Sequence, residues 1–87
     1  MAVLHWNPVK SKWLQMTRGA SFEDLVERGK FLGMWDHPTR VHQRMMLFEY
    51  EEYVWAVPYV ATTDGRFLKT LYPSRKFTRL QRMGRLR

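Results

Sequence analysis

The sequence predicts an α+β domain, with an N-terminal strand and two helices packed on an antiparallel sheet (a β-meander) and a basic C-terminal helix after it. Apolar residues recur at helical spacing in the first third of the chain, and they alternate with other residues from Met45 onward. The pair Asp64-Gly65 then separates two apolar runs, which is typical of a β-hairpin. With 87 residues the chain is expected to form a single domain, residues 1–87.

The N-terminal segment predicts a strand followed by a helix. A short apolar stretch, Val3–Trp6, is expected to form the strand. Asn7 and Pro8 predict the start of the helix, because Asn is a favoured N-cap and Pro fits the first helical position. Gly19 predicts the helix end. The inner side of this helix is expected to carry Val9, Trp13, Leu14 and Met16.

A second helix is expected to begin at Ser21, which is a good N-cap. Asp24 stands three residues later and supplies the acid of a capping box, in a weaker form than Glu. Asp24 also stands four residues before Arg28, a spacing that favours an ion pair. Gly29 is expected to end the helix, and its inward residues are predicted to be Phe22, Leu25 and Val26.

The middle of the chain predicts strands. Leu32–Asp36 is expected to be a short strand that ends at segment 37–40, because Pro38 disfavours a helical conformation before it. The next strand is expected to carry Met46, Phe48 and Tyr50 on one face. Tyr53–Ala61 is apolar on both faces and so predicts the central strand, with Pro58 at a bulge or a gap in the ladder.

The end of the chain predicts a hairpin and a helix. Asp64-Gly65 supplies the positive φ that a tight turn requires, and Arg66–Tyr72 is then the returning strand. Pro73 is expected to end this strand, and Ser74 is expected to cap a helix over Arg75–Met83. The buried side of that helix is predicted to carry Phe77, Leu80 and Met83.

Positive charge is concentrated at one end of the sequence. The first 65 residues contain seven basic and eight acidic residues, whereas the remaining 22 contain eight basic residues and no acidic one. The whole net charge of +7 therefore belongs to the C-terminal segment. Such a polarised charge attracts a polyanion, and nucleic acid is the first candidate. The basic residues of this segment are Arg66, Lys69, Arg75, Lys76, Arg79, Arg82, Arg85 and Arg87.

The composition excludes several classes of protein. The chain has no cysteine, so neither a disulfide framework nor a thiolate zinc site is expected. It shows no signal peptide and no apolar run long enough to span a membrane, so we expect a cytoplasmic protein with no membrane partner. His5, His37 and His42 are irregularly spaced and no acidic cluster is present, so no metal and no cofactor are predicted.

The returning strand and the helix after it contain the best candidates for a functional site. Lys69 is either an edge-strand lysine that opposes aggregation or a cation held toward a phosphate. Ser74 is a helix cap, and a helix start is also a place where anions bind, with Arg75 and Lys76 beside it. Two further cations, Arg79 and Arg82, lie on a basic helix side that is also typical of a solvated surface, which is the more common case for Arg82 taken singly.

His37 is the one candidate proton shuttle, because histidine titrates near neutral pH, although a loop histidine without a catalytic role is the more common case. The sequence contains no GxSxG, P-loop or GxGxxG motif, which removes those enzyme classes.

Three segments together resemble a known family. They are Trp6-Asn7-Pro8-Val9-Lys10, Arg18-Gly19-Ala20-Ser21-Phe22-Glu23, and Phe67-Leu68-Lys69-Thr70 with Pro73-Ser74-Arg75-Lys76. In order and spacing they resemble the BrnT-type toxins of bacterial type II toxin–antitoxin pairs, over nearly the whole chain. The resemblance implies a RelE-like fold and metal-free cleavage of RNA, with the ribosome left open as a partner. It also implies a hetero-oligomer with a cognate antitoxin that binds operator DNA and regulates its own expression.

A metal-free ribonuclease uses the 2′-hydroxyl of RNA as its nucleophile, so the protein must orient the phosphate and stabilise charge on its oxygens. We expect Arg75 to clamp the phosphate, Lys69 to stabilise the charge or take a proton, and Ser74 to position an oxygen. The residues expected to hold the RNA backbone are Lys76, Arg79, Arg66 and Arg82. The alternative is a non-catalytic module that binds nucleic acid or an acidic protein through the same basic patch.

Overall fold

The computed structural model describes residues 3–37, 39–41 and 43–86. Three residues of the predictions lie outside these ranges, namely Pro38 of the predicted loop, His42 of the histidine set and Arg87 of the basic segment. The elements in chain order are β1 (Val3–His5), α1 (Pro8–Arg18), α2 (Phe22–Arg28), β2 (Lys30–Asp36), β3 (Arg44–Tyr50), β4 (Tyr53–Thr62), β5 (Gly65–Leu68), β6 (Tyr72–Pro73) and α3 (Arg75–Arg82). The predicted α+β class with three helices is confirmed.

The sheet has six strands and is mixed, so the prediction of an antiparallel meander is wrong at its edge. The order is β1-β5-β4-β3-β2, and β6 also pairs with β4. Strands β2 to β6 pair antiparallel, but β1 lies parallel to β5, with Val3 opposite Gly65. As predicted, β4 is the central strand, and it is apolar on both faces because helices cover both.

The helices lie on opposite faces of the sheet. Helices α1 and α2 pack on one face through Leu14, Phe22 and Leu25. Helix α3 packs on the other face through Phe77. The core on the first face also contains Met46, Phe48, Trp55, Val57, Tyr59, Leu68 and Leu71. The core on the second face also contains Met45, Leu47, Val54 and Ala56.

Pro58 breaks the ladder between the central strand and its neighbour, as the sequence predicted. Its carbonyl oxygen accepts a hydrogen bond from Lys69 N at 2.8 Å. In an antiparallel pair the N–H and C=O of one residue face the same strand, so the donor that Pro58 lacks is missing on this side. The predicted strand 66–72 is accordingly divided into β5 and β6, and residues 69–71 run outside any strand.

The hairpin turn after β4 lies at Thr63 and Asp64, one residue earlier than predicted. Gly65 does not adopt a positive φ. It is instead the first residue of β5 and pairs with both Thr62 and Val3. A Cβ atom at Gly65 would press into the backbone carbonyl of Val3, so glycine is needed for the close approach of β1.

The turn between β3 and β4 does require positive φ, and its two residues are acidic. Tyr50 pairs with Tyr53, which leaves Glu51 and Glu52 as the turn, with φ of 54° and 65°. Asparagine and glycine are the usual residues at such positions, because a side chain there is sterically unfavourable. This turn therefore carries backbone strain.

The predicted helix ends are confirmed. The Asn7 side chain accepts from the backbone N–H groups of Val9 and Lys10, and Gly19 ends α1 with a φ of 97°. Ser21 and Asp24 form a complete capping box. Asp24 also pairs with Arg28 at 3.5 Å.

The predicted buried side of α1 is wrong, because three of its four residues are exposed. Val9, Trp13 and Met16 are 78%, 52% and 77% exposed, whereas Leu14 is fully buried. The buried residue on the same side as Leu14 is Ser11, one turn earlier. Met83, predicted to be buried after α3, is 54% exposed.

Glu23, in α2, forms side-chain hydrogen bonds to α1 and to the residue that follows β1. Its carboxylate accepts hydrogen bonds from the Ser11 hydroxyl and from Trp6 Nε1. The hydrogen bond from Ser11 stabilises the charged form and lowers the pKa of Glu23 below its ordinary value. No helix in the described part of the chain is both long and apolar enough to cross a membrane.

Candidate nucleic-acid interface

A cleft of about 360 Å³ opens where the ladder breaks between β5 and β6. Three side chains with permanent positive charge line it, namely Lys10 of α1, Arg40 of the β2–β3 loop and Lys69. None of the described residues that line the cleft is acidic. The remaining lining residues are His37, Thr39, Gln43, Pro58, Thr70 and Tyr72.

The segment that carries Lys69 is fixed although it belongs to no strand. Lys69 is held by its N–H bond to Pro58, and the next two residues are held by Arg18. The Arg18 guanidinium donates to the Leu71 carbonyl oxygen at 2.6 Å and to Thr70 Oγ1 at 3.3 Å. The exposed Lys69 side chain therefore extends from a backbone segment that hydrogen bonds to Pro58 and Arg18 hold in place.

The β2–β3 loop is closed around His37. The backbone N–H of His37 donates to the Gln43 carbonyl oxygen at 3.0 Å, and the backbone N–H of Gln43 donates to the Arg40 carbonyl oxygen at 3.1 Å. The His37 Nδ1 atom accepts from the backbone N–H groups of Thr39 and Arg40, each at 3.2 Å. An imidazole nitrogen that accepts two N–H groups carries no proton, which assigns the ring proton to Nε2.

This assignment limits what His37 can do. Its Nε2–H can donate a hydrogen bond to an anion, whereas Nδ1 is already engaged by two backbone N–H groups. His37 is thus suited to bind a phosphate oxygen as a neutral donor, and less suited to the proton shuttle expected from the sequence.

Tyr72 lines the cleft with a partly buried ring. Its ring belongs to the core cluster under α3, and its hydroxyl donates to Met45 Sδ at 3.4 Å. Burial raises the pKa of Tyr72 above the ordinary value of 10.0, because the phenolate would lose hydration. Tyr72 therefore stays protonated at neutral pH, and its one O–H is already donated to Met45 Sδ.

The structure brings together two of the four expected catalytic residues, Lys69 and His37. Arg75 lines a different hollow, on the far side of β6. Ser74 is buried, and its hydroxyl accepts from the Phe77 N–H at 3.1 Å, which is the bond of a helix cap. Its side chain is therefore committed to α3.

The residues expected to hold the RNA backbone do not line the cleft. Lys76 and Arg79 are exposed on α3, with the Lys76 ammonium 5.8 Å from the ring of Phe77. Arg82 donates to the Glu52 carbonyl oxygen at 3.3 Å. Arg66 lies on the face of the sheet that α1 and α2 cover, with its guanidinium 5.5 Å from the centre of the Tyr59 ring.

Two cations of the cleft, Lys10 and Arg40, were missed as site residues because both lie in the near-neutral part of the sequence. Lys10 does end the Trp6-Asn7-Pro8-Val9-Lys10 segment, so that motif was an available signal. Nothing comparable marked Arg40. Its position depends on the hydrogen bonds that close the loop around His37.

Among the residues that the structure describes, no three His, Asp or Glu side chains lie close enough together to hold a metal ion. Comparison of the chain with protein-family models, curated proteins and solved structures finds no match.

Proposed function

We propose that the protein binds single-stranded RNA in the cleft and cleaves it without a metal, as a growth-inhibiting toxin of the BrnT type with a RelE-like fold. The observation that carries this proposal is the convergence of Lys10, Arg40 and Lys69, from three separate segments, on a cleft that His37 also lines. A phosphodiester needs several donors directed at one point, and cations give the stronger bonds. The motif resemblance adds the expectation of RNA as the substrate.

The proposed chemistry is an internal transfer at phosphorus. The 2′-hydroxyl oxygen attacks the adjacent phosphorus and loses its proton to water, while the bond to the 5′-oxygen breaks and that oxygen takes a proton from water. The products are a 2′,3′-cyclic phosphate and a free 5′-hydroxyl. Lys69 and Arg40 stabilise the charge that grows on the phosphoryl oxygens, and His37 Nε2–H adds a neutral donor.

The partner in this proposal is a cognate antitoxin that covers the basic surface with an acidic or amphipathic segment, forms a hetero-oligomer with the toxin, and binds operator DNA. The site of action is the cytoplasm, where the substrate is free or ribosome-bound RNA. Both statements rest on the motif resemblance and on the charge of the surface around Lys69.

The proposal is tested with matched RNA and DNA strands, incubated with the purified protein in the presence of EDTA. We expect cleavage of the RNA alone, with cyclic phosphate ends, since DNA lacks the attacking hydroxyl. Lys69→Ala should lower the rate by about 10²-fold, the usual cost of losing one charge-stabilising donor. Cleavage of DNA, or activity that EDTA abolishes, would contradict the proposed chemistry.

A second candidate function is RNA binding without cleavage. It is favoured by the roles of two expected catalytic residues, because Ser74 caps α3 and His37 Nδ1 holds the β2–β3 loop. Under this alternative the affinity for RNA falls by about 0.7 log units per contacted phosphate for each decade of salt. The RNA stays intact at every salt concentration.

A further inference from the structure

A second hollow of about 380 Å³ lies on the other side of β6 from the cleft. It combines two guanidinium groups with aromatic side chains. Its lining residues are Arg18, Glu51, Tyr53, Trp55, Pro73 and Arg75. The cleft chemistry proposed above does not use any of them.

One aromatic ring in this hollow is open to solvent. Tyr53 is 40% exposed, whereas Trp55 is 6% exposed and donates its Nε1–H to the Tyr50 carbonyl at 3.1 Å. An exposed ring beside cations is the combination by which proteins hold single-stranded nucleic acid, because any base can stack on the ring.

The hollow and the cleft are two sides of one short segment. Tyr72 lines the cleft, and the next residue, Pro73, lines the hollow. Arg18 lines the hollow and donates to Thr70, which lines the cleft. A strand bound at Lys69 therefore needs only to cross the edge of the sheet to reach Arg18 and Arg75.

One lining residue is acidic and must be accounted for. Glu51 belongs to the strained turn, with a φ of 54°. Its carboxylate repels a phosphate but accepts hydrogen bonds from an amino group on the edge of a base. Strained positions occur often at binding sites, which agrees with a role for this turn in contacting a ligand.

We propose that the hollow is a second nucleotide subsite for the same RNA strand, in which a base stacks on Tyr53 and a phosphate lies between Arg18 and Arg75. This inference rests on the proposed function of the cleft. It names a second contact that extends the binding site across the edge of the sheet.

The test compares short and long single-stranded RNA by fluorescence anisotropy, using oligonucleotides of about three and about twelve nucleotides, below and within the usual span of single-strand sites. Tyr53→Ala should weaken binding of the longer RNA about tenfold, in keeping with the loss of one stacked base. Binding of the shorter RNA at the cleft should not change. Tyr53→Phe, which keeps the ring, is the matched control and should bind both lengths like the wild type.

The outcomes separate this inference from the proposal on which it rests. Equal affinity of the wild type and Tyr53→Ala for the longer RNA would overturn the second subsite. Equal affinity of the wild type and Lys69→Ala for the shorter RNA would overturn the cleft itself. Arg75→Ala should, in addition, reduce the salt dependence for the longer RNA by about 0.7 log units per decade.

Discussion

The cleft and helix α3 both present basic side chains, but they arrange them in different ways. In the cleft, Lys10, Arg40 and Lys69 come from three distant segments and surround one space. On α3, the cations Lys76, Arg79 and Arg82 come from one short segment, are all exposed, and line neither the cleft nor the hollow of Arg18 and Arg75. A single phosphate can be bound by several cations only in the first arrangement.

The comparison shows that a high density of positive charge along one segment differs from the meeting of several positive charges around one space. The cations of α3 create a field that attracts a polyanion from a distance, and salt screens this field within about 10 Å at 0.1 M. The cations of the cleft act at hydrogen-bond range. We therefore expect the two groups to contribute unequally to affinity and to cleavage.

The largest expected effect comes from removing two cations of each group in turn. Arg40→Ala combined with Lys69→Ala should lower RNA cleavage by about 10³-fold or more, because two charge-stabilising donors are lost at one phosphate. Arg79→Ala combined with Arg82→Ala removes the same charge and should change the rate by less than about threefold, as expected for screened surface charges. Single-turnover cleavage of one RNA substrate measures both.

The α3 double variant is the control for net charge, and circular dichroism melts check that each variant folds. Equal losses in the two double variants would show that total charge governs activity. The convergence of the cleft cations would then have no effect on function.

A smaller effect is expected at His37, where the loop role and the donor role can be separated. His37→Asn keeps a side-chain acceptor for the backbone N–H groups that follow, in the manner of an Asx turn, but removes the ring Nε2–H. We expect cleavage to fall about tenfold, the value of one hydrogen bond to a charged group, while the melting temperature is kept.

His37→Ala removes both roles and should lower the melting temperature as well as the rate. If His37→Asn cleaves RNA at the wild-type rate, the ring contributes nothing beyond closing the loop. A rate–pH profile of the wild type that differs from that of His37→Asn would show that the imidazole exchanges a proton during cleavage.

The smallest functional effect is expected for Ser74, which belongs to α3 and not to the cleft. Ser74→Ala removes the hydroxyl that accepts from the Phe77 N–H and should cost about 1 kcal/mol of stability. For a domain of this size that loss lowers the melting temperature by about 4–8 °C. Cleavage per folded molecule should not change. A large loss of rate with an unchanged melt would restore the catalytic role expected from the sequence.

The parts of the fold that depend on neighbouring residues were predictable. The caps at Asn7 and Ser21 and the end at Gly19 follow from local hydrogen bonding and steric rules. The break at Pro58 follows from a missing backbone donor. In each case the physical cause lies within a few residues of the effect.

The parts that depend on distant residues were not predictable. Gly65 looked like a turn residue, but its real constraint is the backbone of Val3, which lies beside it only in the folded chain. Trp13 was assigned to the core because its spacing placed it on the predicted apolar side of α1, although the buried side of the folded helix runs through Ser11 and Leu14. The same reason applies to the candidate site, where Lys10 and Arg40 meet Lys69 only after folding.

The parallel pairing of β1 with β5 has a consequence for how the protein is made. The N-terminal strand has no partner until residues 65–67 have been synthesised, and the cleft lacks a wall until Lys69 and Tyr72 have followed. A nascent chain that ends before these residues therefore has no complete cleft. If the protein cleaves RNA as proposed, such a chain is harmless to the RNA around it.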